Sequence, residues 1–96
     1  MGKEYYDGKL LFEGEYLNGE RNGKGKEYDE EDDKLIFEGE YLKGKRNGKG
    51  KEYYYGTLKF EGEYLNGKKN GKGKEYDLEG NLIFEGEYLN GKKIEK

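Results

Sequence analysis

FEGEYLNG stands at 12–19, 60–67 and 84–91, and again at 37–44 with Lys43 in place of the asparagine. Successive copies begin 25, 23 and 24 residues apart. Self-similarity at a period of about 20–50 residues marks a repeat architecture, in which most residues specify a stacking unit. In the first copy Phe12, Gly14 and Tyr16 fall on one face of a strand, and Leu11, Glu13, Glu15 and Leu17 on the other, because strand side chains alternate with a period of two. NGERNG follows at 18–23, and its two Asn-Gly steps favour a reversal. KGKEYD at 24–29 then reads as the returning strand. Gly23, Gly25 and Glu27 lie on one of its faces, and Lys24, Lys26 and Tyr28 on the other.

A sensible register for this hairpin sets Leu17 opposite Lys24, Tyr16 opposite Gly25 and Glu15 opposite Lys26. A glycine opposite a ring leaves room for the ring to lie across the neighbouring strand, and a Glu–Lys cross-strand pair adds roughly 0.2–1 kcal/mol. The same geometry is expected for Tyr41 with Gly50 and Tyr64 with Gly73. Linkers of different length, DEEDDK (29–34), YYGT (54–57) and DLEGN (77–81), carry the chain between units. No segment has helical periodicity. The expectation is therefore an all-β fold without helix: an elongated, twisted single-layer antiparallel meander of stacked β-hairpins. One array covers 1–96, with a half-hairpin at 2–11, repeats at 12–36, 37–59 and 60–83, and a half-hairpin without its return at 84–96.

Charged residues make up 43% of the chain and hydrophobic ones 30%, too lean for an ordinary globular core. The 11 tyrosines and 4 phenylalanines recur at fixed phase instead. At about 150–250 Å² buried per aromatic ring, they can replace such a core with a thin layer. With no cysteine and no histidine, thiol chemistry, Cys/His zinc sites and imidazole acid–base catalysis are excluded. No apolar run reaches the roughly 18 residues of a spanning helix, and no leader-like segment is visible. The sequence reads as soluble. It names no location; a cytoplasmic one is the expectation, with a peripheral position at a membrane as the alternative.

The succession of aromatic, glycine, aromatic and a later Gly-x-Gly in FEGEYLNGERNGKGKEY (12–28), FEGEYLKGKRNGKGKEY (37–53), FEGEYLNGKKNGKGKEY (60–76) and FEGEYLNGKK (84–93) resembles the MORN (membrane occupation and recognition nexus) repeat. Phe12, Phe37, Phe60 and Phe84 stand where that family usually has Tyr, and Tyr16, Tyr41, Tyr64 and Tyr88 where it often has Trp. The resemblance implies a non-catalytic scaffold for protein–protein contact or self-association. It also implies, as the alternative, association with acidic phospholipids.

Two surfaces follow from the pattern. Phe12, Tyr16, Phe37, Tyr41, Phe60, Tyr64, Phe84 and Tyr88 would line a half-buried aromatic groove, which is either the core of the fold or a partner site. The turn-side segments are basic, although the net charge is only −3. Stacked in register, Arg21, Lys24, Lys45, Arg46, Lys49, Lys68, Lys69, Lys72, Lys92 and Lys93 would form a basic edge for anionic headgroups, or simply a solubilising one, with an acidic edge opposite led by Asp29–Asp33. Nucleic acid is the weaker candidate for that strip, because the pI is about 5.2 and the acidic edge adjoins it.

Other constellations are empty of chemistry. Asp29, Glu31 and Asp33 mimic the first calcium-loop ligands, but the sixth position is Lys34 rather than glycine. GKGKEY lacks the spacing and following helix of a phosphate loop. The carboxylates alternate with lysines on exposed strands and imply no glycosidase pocket. Choline-binding hairpin repeats build cation cages from Trp and Tyr, and this chain has no Trp. No cofactor, metal or catalytic residue is expected. The terminal strands would leave open edges, so the expectation is head-to-tail or end-to-end pairing between chains, or else a longer array of which this sequence is a fragment. The plainer alternative is an edge guarded by Lys92, Lys93 and Lys96.

Overall fold

The structure, a computed structural model, describes residues 1–94. Nine strands form one antiparallel sheet in chain order: β1 (Gly2–Tyr6), β2 (Lys9–Leu17), β3 (Glu20–Tyr28), β4 (Leu35–Leu42), β5 (Lys45–Tyr54), β6 (Thr57–Leu65), β7 (Lys68–Tyr76), β8 (Leu82–Leu89) and β9 (Lys92–Ile94). There is no helix among the described residues. The molecule measures 43 × 29 × 16 Å. The last unit departs from expectation, since β9 begins the return that 84–96 was expected to lack. Positions 95–96, including Lys96, lie outside the described residues.

The expected hairpin register is wrong, and the reason is the second Asn-Gly step. Asn18 (φ 52°) and Gly19 (φ 80°) alone make the turn. Positive φ at both central residues is the type I′ geometry that matches the twist of the flanking strands. The return strand therefore starts at once, pairing Leu17 with Glu20 and Tyr16 with Arg21. Asn22-Gly23 is a bulge inside β3, with Gly23 at φ 101°. Beyond it Gly14 pairs with Gly25 and Glu13 with Lys26. Glu15 does not face Lys26; its Oε1 accepts the Lys24 N–H at 2.7 Å and so caps the bulge. The same arrangement recurs with Tyr41 opposite Arg46 and Tyr64 opposite Lys69.

This register aligns the glycines. Gly2, Gly14, Gly25, Gly39, Gly50, Gly62, Gly73 and Gly86 are successive cross-strand partners, a row running across β1–β8. Repeats are further latched at their turns. The turn N–H of Gly44 donates to the Arg21 carbonyl at 2.9 Å, and Gly67 and Gly91 repeat the contact on Arg46 and Lys69. The side-chain oxygens of Asn47 and Asn70 each accept a backbone N–H from the following turn at 3.1 Å. The second Asn-Gly thus docks the next hairpin.

Three substitutions test this backbone account by urea denaturation. A methyl at Gly39 would lie 2.6 Å from the Gly50 Cα and the Lys49 carbonyl, so Gly39→Ala is expected to cost about 3 kcal/mol. Gly19 has open space around it, and Gly19→Ala is expected to cost only about 1 kcal/mol, for its left-handed backbone. Lys43 holds φ 49° in its turn, so Lys43→Asn is expected to add about 0.5–1 kcal/mol, since asparagine tolerates that conformation.

Candidate functional site

The aromatic face is built on the glycine row. Phe and Tyr of one strand flank a glycine on the same face, and the ring edges close over the glycines of the next strand. A Cβ on Gly25 would lie 2.5 Å from the Phe12 Cζ and 3.0 Å from the Tyr41 Cε1. The rings over Gly25 are therefore Phe12 and the next repeat's Tyr41, where Tyr16 was expected. Gly50 sits likewise under Phe37 and Tyr64, and Gly73 under Phe60 and Tyr88. Edge-to-face contacts join the eight rings into one ladder, Tyr16–Phe12–Tyr41–Phe37–Tyr64–Phe60–Tyr88–Phe84, with centroids 5.1–5.8 Å apart.

The half-buried groove expected from the sequence is closed along most of its length. Phe12, Phe37 and Phe60 are fully buried, and Tyr41, Tyr64 and Tyr88 nearly so. Only Tyr16 and Phe84, at the two ends, are partly exposed. The lid is ionic. The Arg46 guanidinium stacks 3.9 Å above Phe37 and donates from Nε and Nη2 to the Glu27 carboxylate at 3.0 and 3.1 Å. Tyr41 donates its hydroxyl to the same carboxylate. Arg21 repeats this over Phe12, at 4.0 Å, with Glu4 and Tyr16. In the later repeats Lys69 lies 4.1 Å above Phe60, and Lys93 lies 4.7 Å above Phe84 and 3.2 Å from Glu75. Tyr64 and Tyr88 donate to Glu52 and Glu75.

These contacts shift the ionisations in opposite senses. The Arg21 hydrogen bonds hold Glu4 below the usual carboxylate value. Burial alone would raise Glu27 and Glu75, but donors from Arg46 and Tyr41, and from Tyr88 and Lys93, outweigh it. Tyr41, Tyr64 and Tyr88 are pushed well up, first by burial and then by the glutamates they serve.

The ten residues of the expected basic edge do not form one strip. Arg21, Arg46, Lys69 and Lys93 cap phenylalanines on the aromatic face. Lys24, Lys49 and Lys72 lie on the opposite face, directly across from Glu40, Glu63 and Glu87. A second row alternates Glu13, Lys26, Glu38, Lys51, Glu61, Lys74 and Glu85 from strand to strand. These side chains and the backs of the glycines line a groove of about 880 Å³ over β4–β8, whose walls are close to charge-balanced. Of the ten, Lys45, Lys68 and Lys92 stay at the turn margin, opposite Leu42, Leu65 and Leu89. In the acidic linker, Asp29 Oδ1 accepts the Glu31 N–H at 2.7 Å, which makes an ordinary Asx turn.

The family model for the MORN repeat matches residues 12–33, 37–56 and 60–81. The chain belongs to the MORN repeat family. No curated protein matches it. The model's boundaries follow the units seen here: each match opens on the phenylalanine of a MORN hairpin and runs to the linker after its return strand. Sequence reasoning missed the Glu4, Glu27, Glu52 and Glu75 acceptors and the asparagine latches. The glutamates were detectable as the invariant E of each KEY triplet, on the same face as the rings.

The linkage to pH has two signs. Glu4, Glu27 and Glu75 titrate lower when folded, so their stabilisation is complete above about pH 4.3 and is lost as pH falls through the folded values. Tyr41, Tyr64 and Tyr88 titrate higher when folded, so stability is lost as pH rises past about 10, where the unfolded chain deprotonates first. With no histidine, the urea midpoint is expected to stay level between about pH 5 and 9 and to fall on both sides. A midpoint that drifts across the neutral range would contradict the assignment.

Proposed function

We propose that this MORN array is a non-catalytic scaffold that mediates protein–protein interaction, including self-association through the ends of its sheet. The observation that carries this reading is the contrast between the interior and the ends. Within the array the ring ladder, both arginines and the Glu27 and Glu52 carboxylates are engaged in holding one hairpin to the next. At the ends, β1 pairs only with β2, and on the side of β8 away from β7 only Glu87, Tyr88 and Leu89 are paired, among the described residues. Unpaired strand edges are templates for another strand. The ring lid accounts for the shifted ionisations of Glu4, Glu27, Glu75, Tyr41, Tyr64 and Tyr88.

A second reading has one observation in its favour. Leu17, Leu42, Leu65 and Leu89, all about half exposed, run along the turn margin beside Lys45, Lys68 and Lys92. That mixed margin suits an anionic lipid surface, where each basic residue contributes about 1 kcal/mol.

Two measurements separate the readings. Light scattering across a wide concentration range is expected to show mass rising with concentration, and a constant monomer mass would remove self-association. Sedimentation with acidic and with neutral vesicles tests the lipid reading. K45E/K68E/K92E is expected to abolish any acidic-lipid binding, and binding unchanged by that variant would dismiss the margin as its cause.

A further inference from the structure

One of the tight turns holds a residue out of character. Each two-residue turn reverses the chain on a residue with φ between 48° and 52°, followed by a glycine: Asp7, Asn18, Lys43, Tyr55, Asn66 and Asn90. Asparagine and aspartate tolerate this left-handed region, whereas a bulky tyrosine is an outlier there. The chain carries its own comparison. Glu4-Tyr5-Tyr6-Asp7-Gly8-Lys9 and Glu52-Tyr53-Tyr54-Tyr55-Gly56-Thr57 make the same linker-side turn, closed by the pairs Tyr6–Lys9 and Tyr54–Thr57. Tyr55 therefore stands where Asp7 stands. Its ring takes no part in the core: Tyr55 is 65% and Tyr54 47% exposed, and the two rings meet only each other, edge to face with centroids 4.5 Å apart. Backbone strain held at an exposed position points to a role for the side chain outside the fold.

What lies beside the ring says what it takes. Lys34, at the end of the acidic linker, holds its Nζ 5.5 Å from the Tyr55 ring centroid, so the linker and the tyrosine pair form one surface and the ring face already accepts a cation. Asp29 and Asp32 are engaged on N–H groups of the linker itself. Glu30, Glu31 and Asp33 are exposed, and none of them has an ion pair among the described residues. An aromatic face next to unengaged carboxylates is complementary to arginine, whose flat cation stacks on a ring while its fork binds a carboxylate. Arg46 does this within the fold, over Phe37 and onto Glu27. Lys34 has no such fork and yields the ring to a group that has one. We infer that Tyr54 and Tyr55, together with the 29–34 linker, form a docking site for an arginine-bearing segment of a protein partner. This rests on the scaffold reading above and gives the partner a chemistry, on a margin of the sheet remote from its end strands.

Tyr55→Asp separates the ring from the charge. It installs the residue of the equivalent turn at Asp7, so the variant is expected to fold with a thermal midpoint no lower than that of the wild type, and it adds one negative charge to the surface. The probe is a fluorescein-labelled hexaarginine peptide, followed by fluorescence anisotropy at about 0.15 M salt, where diffuse attraction is screened. The wild type is expected to bind it, and Y55D to bind it about fivefold more weakly despite the added charge, the loss of one exposed cation–π contact. If Y55D binds as tightly or more tightly, the attraction is to negative charge alone and the site is wrong. A wild type that does not bind also overturns it. Amide shifts of the wild-type chain on titration with the peptide give a second readout that needs no variant. They are expected to centre on Tyr54–Thr57 and 29–34, and shifts centred elsewhere overturn the assignment. Light scattering without peptide reports on self-association alone, so the two readings fail separately: loss of the arginine site leaves the scaffold standing, and a constant monomer mass leaves the arginine site standing.

Discussion

A phenylalanine can be fully buried against a single sheet here because a glycine stands where a side chain would otherwise keep the ring away. The row from Gly2 to Gly86 is a strip of bare backbone, and rings from both flanks lean in to cover it. Ring edges lie so close over Gly25, Gly50 and Gly73 that even a methyl group would have to displace them. Each edge-to-face pair adds about 0.5–1.5 kcal/mol beyond its buried area. Seven such pairs run unbroken through the array, so consecutive repeats are coupled more through shared rings than through any common interior.

The charged residues follow from that arrangement. A ring layer one side chain thick has to be sealed from water, and arginine does this with a flat cation that stacks on the ring while its fork binds a carboxylate. Arg21 and Arg46 do both. Lys69 and Lys93 keep the stacking but have no fork, so the later repeats are held by a weaker lid. The tyrosine hydroxyl completes the set by sharing the same carboxylate, which leaves no buried polar side-chain atom unpartnered among the described residues. A chain with 43% charged residues can thus fold without a conventional core, since many of its charges serve as the cover of a thin one.

The fold class was legible from period and alternation alone, and so were the faces of Phe12, Gly14, Tyr16, Gly25 and Glu27. The register was not. NGERNG contains two identical turn signals four residues apart, and local propensity cannot say which one reverses the chain. The choice belongs to tertiary structure: the tight turn at Asn18-Gly19 lets Gly14 meet Gly25, and the Asn22-Gly23 bulge docks the next turn. The basic edge misled for a related reason. Counting charge along segments ignores strand alternation, which sends Arg21 to the rings, Lys24 to the groove and Lys45 to the margin. Which tyrosine covers which glycine depended on contacts between repeats, and no reading of one repeat in isolation contains them.

The pairing of rings with glycines is therefore the point at which the account is most exposed. Nuclear Overhauser effects to the Gly25, Gly50 and Gly73 α-protons measure it directly. Cross-peaks are expected from the Phe12 and Tyr41 rings to Gly25, from Phe37 and Tyr64 to Gly50, and from Phe60 and Tyr88 to Gly73. Cross-peaks to Gly25 from the Tyr16 ring in place of Phe12 and Tyr41, or no ring contacts at these glycines, would contradict the shared-ring ladder.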